Sequence, residues 1–557
     1  MKIAEPQSSF VALFTPKLVT VLREGYGLGA FRADAFAGLT VAIIALPLSM
    51  AIAIASGLAP QSGLMAAIVG GFLVSALGGS RFQIGGPAGA FIALVGLTVA
   101  EHGVDGMLTA TFLAGLMLVA AGLLRLGGYV RLVPYPVTIG FTAGIAVIIM
   151  ISQIKELLGL TLHGPEPGAV AGKLAADLAA LGETNLYAAG VAAFTIAVIM
   201  ALRRFRPQFP GVLISVVAAA AAVAAFNLPT DTIGARFGEL PRGLPPLAMP
   251  ALSLEKAIAV LPDAFAFFLL GAIESLLSAT VGDAMTGRRH RSNCELAAQG
   301  VANMASSMVG GMVVTGTIAR TATNIRARAH GPVAGMLHAV FLLVFMAAAA
   351  PLAALAPLAA LSGVLVVVAW NMIERHAILS LFRSSAEDAV AFGATFFLTV
   401  FRDLTEAIAI GTAIAAIAFI RRMSASMSVG GAIVPEDRAD GAAESRTPYH
   451  PQDAQPRRVA VYRLSGAVFF ASAASLSLAL DRVLAGQRTL VLDLDAVTFI
   501  DSTGAQAIAG FVRDAEKRHV KVVLAGGSAA VLKALKLSGV TDRTPLFATL
   551  KDAVDRV

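Results

Sequence analysis

Cysteine occurs once, as Cys294, in a chain of 557 residues. A single thiol excludes an intrachain disulfide and a cysteine-rich metal site. Charge is scarce as well: Asp, Glu, Lys and Arg supply 14% of the chain against 57% apolar residues, and the mean hydropathy is +0.78. Soluble domains carry roughly 25% charged residues, so the composition is that of a polytopic α-helical membrane protein with lipid around it. The formal charge of +7 would point to nucleic acid in a soluble domain. Here the basic residues lie between apolar spans, as membrane orientation requires, and nucleic acid is excluded as a partner. No Ser/His/Asp or metal-ligand constellation gives catalysis a foothold, so no enzyme activity, cofactor or metal is expected. His330 and His338 stand alone and read as structural. The N-terminal stretch has no long apolar core ending in a small-residue cleavage site, so no signal peptide is expected.

What the chain does have is apolar spans, about fourteen of them. They fall near 34–57, 60–77, 87–100, 107–124, 137–158, 186–202 and 212–226. In the second half they fall near 263–281, 295–309, from 320 onward, 333–349, 352–370, 388–400 and 404–420. With both termini inside, the inner loops collect arginine clusters such as Arg203, Arg204 and Arg206, or Arg288, Arg289 and Arg291. The outer loops carry only Lys155, Lys173, Arg236, Arg242, Lys256 and Arg402. That asymmetry satisfies the positive-inside rule, and it makes RRHR at 288–291 an orientation signal rather than an anion-binding patch.

Two spans are short and broken. In GGSRFQIGGPAGAF, Arg81 is expected at the membrane surface, Phe82 to Gly86 extended, and Pro87 at the first position of a helix. From 87 to 100 is 14 residues, about 21 Å at 1.5 Å per residue, too short for a hydrocarbon core of about 30 Å. The second break, GGMVVTGTIAR, places Thr317, Ile318 and Ala319 at a helix start within the bilayer. Unpaired N–H groups and the positive dipole end there favour an anion, and Arg320 adds a planar donor fork. Matching interrupted segments in two halves point to an inverted-repeat transporter with its site between the repeats. Glu274 stands in an apolar run, where a charge costs roughly 2.5–3.5 kcal/mol and marks a pathway, site or partner. Pro47 interrupts the first span, and side chains beside such a proline often line a cavity; Ser49 and Ile52 are the candidates. The expected substrate site is therefore Arg320, Ser49, Ile52, Gly86, Pro87, Ala88, Thr317, Ile318 and Ala319. Glu274 is the expected coupling group for a proton, with Ser278 one helical turn beyond. Two alternatives stand beside this: sodium held by Ser278, Thr317 and the Glu274 carboxylate, or a Glu274–Arg320 ion pair that only ties two helices together.

The composition changes near residue 423. We read 1–423 as the transmembrane domain, 424–456 as a polar linker and 457–557 as a small α/β domain of alternating strands and helices. In FIDSTG, Asp501, Ser502 and Thr503 fall at a strand-to-helix turn. Helix capping by a side-chain oxygen is favoured over phosphorylation of Ser502 or ligand binding there.

The segments ALPLSMAIAIASGLAP, FQIGGPAGAF, LGAIESLLSATVGDAMTG, NCELAAQGVAN and GTIARTATNIRA, with DSTG near the end, together resemble the SulP anion transporters. These are relatives of the animal anion exchangers and prestin. The C-terminal part resembles a STAS domain, a fold shared with bacterial anti-sigma-factor antagonists. The resemblance implies a seven-plus-seven inverted repeat, with a core bundle of spans one, three, eight and ten moving against a gate domain. It also implies a homodimer and substrates among sulfate, bicarbonate, chloride, oxalate and C4-dicarboxylates. The family's span-eight acid falls at Glu274, and the half-helix arginine of proton-coupled sulfate transporters falls at Arg320. Sodium-dependent bicarbonate members have aspartate at the first position and no arginine at the second, so this chain departs from them at both. The expected function is secondary active, proton-coupled uptake of a small oxyanion, either sulfate or a C4-dicarboxylate such as succinate or fumarate. Sodium-coupled bicarbonate transport, or a passive anion channel or exchanger, is the alternative. The expected place is the bacterial inner membrane, with the N-terminus and STAS domain cytoplasmic.

Overall fold

The computed structural model describes residues 13–128, 133–164, 167, 169–206, 209–402, 404–425, 427–433, 459–473, 476 and 489–556. The chain forms two compact units, 1–412 and 413–557, and the division falls inside the helix Leu404–Ala425.

In the first unit, α1 (Leu28–Ala55) has 28 residues with Pro47 inside it. That is about 42 Å of helix, enough to cross a bilayer with length to spare. The proline removes one N–H and frees a carbonyl one turn back. Just beyond it, the backbone of α2 (Pro60–Met65) closes on α1: a Cβ added to Gly63 would lie 2.0 Å from the Ser49 carbonyl oxygen. A π turn, Ala66–Gly70, joins α2 to α3 (Gly71–Leu77). An extended segment holding β1 (Gly85–Gly86) follows, then a 3-10 turn, Gly89–Phe91, and α4 (Ile92–Leu123). Gly103, at φ +70°, breaks α4 between the two spans expected at 87–100 and 107–124.

The rest of this half is α5 (Tyr135–Ser152), α6 (Ile154–Leu158), α7 (Val170–Ala179), α8 (Leu186–Phe205) and α9 (Gly211–Phe226). The second half has α10 (Leu261–Thr286), α11 (Ser292–Met308), β2 (Thr315–Gly316), α12 (Ile318–Arg326), α13 (Val333–Ala354), α14 (Leu358–Met372), α15 (Ala386–Phe401) and α16 (Leu404–Ala425). Among the described residues nine helices are long and apolar enough to cross a membrane. By contrast α12, with 9 residues, reaches about 14 Å and cannot cross alone. Helices meet through small residues, as expected where lipid and core are equally apolar. Where α4 crosses α11, a Cβ on Gly115 would stand 2.7 Å from the Gly300 oxygen, and one on Gly300 would stand 2.4 Å from the Gly115 oxygen.

The NCELAAQGVAN motif lies on α11, and its polar residues recur every fourth position, so they share one face. Glu295 accepts the Ser80 N–H at 2.9 Å and the Gln299 amide at 3.1 Å. Asn303 grips the backbone of Val314, donating to its oxygen and accepting from its N–H, both at 2.8 Å. This stripe holds the chain extended as it enters β2.

Two expectations are corrected, those for Pro87 and for 424–456. Pro87 does not open a helix: Ala88 is extended at φ −117°, ψ 145°, and helical structure starts at Gly89. Arg81, expected at the membrane surface, is 9% exposed, and its guanidinium donates to Glu24 at 2.6 Å and to the His330 carbonyl at 3.0 Å. That hydrogen bond holds the exposed Glu24 carboxyl below its usual range. Nor is 424–456 all linker, since β3 (Ser428–Ile433) lies in it; 434–456 falls outside the described residues.

In the second unit, β3 pairs antiparallel with β4 (Val459–Val468). β5 (Thr489–Ile500), β6 (Lys521–Ala525) and β7 (Leu546–Phe547) then add in parallel, giving the order β3-β4-β5-β6-β7. Helices α17 (Ser502–Lys517), α18 (Ala529–Leu537) and α19 (Leu550–Asp555) complete a small α/β fold. Asp501 caps α17, accepting the Gly504 N–H at 2.7 Å. Ser502 is exposed at the first helical position.

Candidate functional site

The two breaks meet each other. β1 and β2 pair antiparallel, Gly85 opposite Gly316 and Gly86 opposite Thr315. The Thr317 N–H donates to the Ile84 carbonyl at 3.1 Å, so the segments entering the two half-helices form one short ribbon. Side chains fasten the ribbon to α10 and α12. Gln83 donates to Ser275 at 2.9 Å, Thr315 to the Gly271 carbonyl at 3.2 Å, and Asn324 to the Phe82 carbonyl at 2.9 Å. The Thr321 hydroxyl accepts the Ile84 N–H at 3.3 Å and lies 3.1 Å from the Ser278 hydroxyl.

Arg320 points into this junction and is 3% exposed. Its Nη2 donates to Ser49 Oγ at 3.1 Å and to the Pro87 carbonyl at 3.3 Å. Its Nε and Nη1 have no hydrogen-bond partner. Gly86 makes room for it: a Cβ there would lie 1.9 Å from Arg320 Nη1, and the backbone is at φ +154°. Thr317 is buried with an unpartnered hydroxyl, while Ile318 and Ala319 in the first turn of α12 are exposed. The guanidinium thus sits where the N–H groups of α12 begin, with two unused donor positions.

Glu274 is half-buried on α10, and its Oε2 has no partner. No hydrogen bond joins it to Arg320, whose bonds go to Ser49 and Pro87, so the helix-tying pair is absent. The structure brings together Arg320, Ser49, Gly86, Pro87 and Thr317. Ala88 is buried beside them in sequence. Ile52, one turn beyond Ser49, is 2% exposed within the apolar core. Ser278 turns to Thr321.

Sequence reasoning missed Gln83, Ser275 and Thr321. Each is a polar neighbour of a motif already singled out, and that adjacency was the available signal. His338, read from the sequence as structural, is fully buried with neither ring nitrogen partnered.

Over residues 31–395 the chain matches the sulfate permease family, and over 450–553 the STAS domain. It is 38% identical over 505 residues to the putative sulfate transporter YvdB of Bacillus subtilis, covering 89% of this chain and 91% of that protein. The bicarbonate transporter BicA of Picosynechococcus is 29% identical over 525 residues, 92% of each chain. The murine solute carrier 26 family member A9 anion transporter, solved in its inward-facing state, has TM-score 0.84 at 19% identity, covering 100% of this chain and 96% of that one. That last likeness is one of fold.

Proposed function

The chain belongs to the sulfate permease family and is a multi-pass membrane anion transporter, and from that premise we propose that it takes up a small oxyanion together with a proton. The substrate class is sulfate or a C4-dicarboxylate such as succinate or fumarate. One observation carries the reading: Arg320 is enclosed, with Nε and Nη1 unfilled, at the start of α12. A buried cation with open donor positions is costly. An oxyanion presenting two oxygens would fill those positions in the geometry the guanidinium favours, and the helix start adds its own attraction.

Glu274 supplies the coupling. An ionised carboxylate is expensive away from water unless something compensates it, and its Oε2 has no partner. An incoming dianion at Arg320 adds negative charge to the membrane unit that carries Glu274, and whatever favour the anion does the proton is returned by the same free energy. The sodium alternative calls on Ser278, whose hydroxyl is engaged with Thr321 at 3.1 Å.

In this reading the protein works as a homodimer in the bacterial inner membrane. The core carrying Arg320 moves against the remaining helices, and both termini lie in the cytoplasm. Uptake into proteoliposomes of labelled sulfate, succinate, fumarate and bicarbonate, with and without an inward proton gradient, tests it. Gradient-driven accumulation of sulfate or a dicarboxylate is expected; accumulation of bicarbonate alone would end the assignment.

A further inference from the structure

His338 on α13 is fully buried, and neither of its ring nitrogens has a hydrogen-bond partner. A neutral imidazole carries one N–H donor and one acceptor nitrogen. Leaving both unmade in the interior forfeits their hydration without return. For packing alone, an apolar side chain of similar volume would serve without that cost. The helix contacts place the ring beside the Arg320 junction. A Cβ on Gly38 of α1 would stand 3.0 Å from the His338 backbone nitrogen. A Cβ on Gly335, three residues earlier on the same face of α13, would lie 2.0 Å from Ser75 Oγ and 3.0 Å from Ile84 Cδ1. Ile84 is the residue whose backbone bonds Thr317 and Thr321, on either side of Arg320.

Charged groups around α13 are few. The helix has no other ionisable residue, and neither has 66–77, which packs on it. From α1 come Arg32, which is exposed, and Asp34. The Asp34 carboxylate is taken by the N–H groups of His330 and Gly331 and by the Tyr26 hydroxyl, about two turns before His338. The short helix Ile233–Phe237 meets the far end of α13 at Ala354, and its Arg236 is paired with Glu156 and Asp231. From α12 come the exposed Arg326 and the buried Arg320. Of these, Arg320 is the charge that acts on His338.

We propose that His338 is a second proton site of the transport cycle, taking up a proton when a dianion occupies Arg320 and giving it up when the anion leaves. The inference rests on the uptake assigned to Arg320 and Glu274 above. The proton comes from solution on the entry side and adds to the bare ring nitrogen, while the other nitrogen keeps its hydrogen. It returns to solution on the exit side. A buried imidazolium is costly without a negative partner. An empty Arg320 repels it, whereas a dianion there reverses the sign of the local charge. With Glu274 alone protonated, the loaded groups retain one uncompensated negative charge, and a proton on His338 cancels it. With the anion gone, Glu274 ionised and His338 neutral, the same groups balance again. Both crossings of the cycle are then made without net charge on them, which avoids the desolvation of an unpaired ion.

The test counts protons. Proteoliposomes holding the full-length protein are clamped at zero membrane potential with potassium and valinomycin. Equilibrium accumulation of labelled sulfate, and separately of succinate at a pH where both carboxyls are ionised, is read against the imposed proton gradient. For whichever anion accumulates, the wild type should gain about a hundredfold per unit of pH difference, two protons per dianion. His338→Gln and His338→Asn stay polar but take no proton, and should gain about tenfold. An equilibrium slope does not respond to a variant that is merely slower or less stable. A tenfold slope in the wild type, which needs no variant, overturns the His338 site and leaves proton-coupled uptake standing. So does any slope other than tenfold in the variants. If the wild type accumulates neither anion under the proton gradient, the uptake reading falls, and His338 with it.

Discussion

Arg320 holds its position through one hydroxyl and one carbonyl, and both are neutral. On the proposed reading, a charge held so lightly is arranged for a ligand rather than for stability, since a structural arginine would be paired. Arg320→Ala should abolish transport and weaken anion binding by roughly thirtyfold or more, the scale of losing a buried charge partner, with the protein still folded. Arg320→Lys should restore little, because an ammonium cannot offer two parallel donors. Transport kinetics and binding on the purified variants check both, and near-normal affinity in Arg320→Ala would remove the site. Gly86 gives a sharper test, because it leaves the charge in place. A Cβ at Gly86 would fall 1.9 Å from Nη1, so Gly86→Ala must displace the guanidinium. Its uptake should drop to the level of Arg320→Ala. Wild-type uptake in that variant would mean that the observed pose of Arg320 is not the binding pose.

The elements that build the site were legible where the sequence interrupts its own periodicity. GGP and TGT cannot continue an apolar helix, so both breaks, and the positions of Arg320 and Glu274 near them, could be read directly. The helix start at Pro87 could not. Pairing of Gly86 with Thr315 keeps that segment extended through Ala88, and the Pro87 carbonyl then becomes an acceptor for Arg320. Contacts between residues far apart in sequence, such as Gln83 with Ser275, leave no periodic trace. β3 was hidden for another reason: SVGGAI is small and Gly-rich, and its place is fixed by pairing with β4. The same limit applies to Ser278, whose spacing from Glu274 suggested an ion ligand while the fold sets it against Thr321. Ser278→Ala should therefore lower thermal stability by about 1–3 kcal/mol, the cost of orphaning a buried partner, and leave the coupling ion unchanged. A variant with full stability but altered ion dependence would make Ser278 a ligand after all.

At the scale of the whole molecule, the C-terminal α/β unit has its own sheet and its own apolar core. Among the described residues, the partners of Arg320, Ser49 and Pro87, belong to the membrane unit, so truncation after Ala425 should reduce expression or rate and leave the ranking of anions intact. A changed ranking in uptake competition assays would show that specificity had been misplaced. The proposed coupling rests on two groups of the membrane unit that are not hydrogen-bonded to each other. Arg320 has donors to spare and Glu274 has an unpartnered oxygen, so the membrane unit holds one positive and one negative group that are each short of compensation. In that reading, binding a dianion at Arg320 leaves an excess of negative charge. Protonating Glu274 halves that excess, so the doubly loaded core crosses the membrane at less cost than the core carrying the dianion alone. A core carrying the dianion alone would move its charge through an apolar barrier at several kcal/mol. Uptake should therefore rise as external pH falls, and Glu274→Gln, fixed in the neutral form, should lose concentrative uptake while retaining exchange of internal for external anion. Concentrative uptake in sodium-free medium under an imposed inward proton gradient decides the matter. Accumulation that needs sodium and ignores the proton gradient would overturn the assignment of Glu274, and the carboxylate would then be a cation ligand beside Thr317.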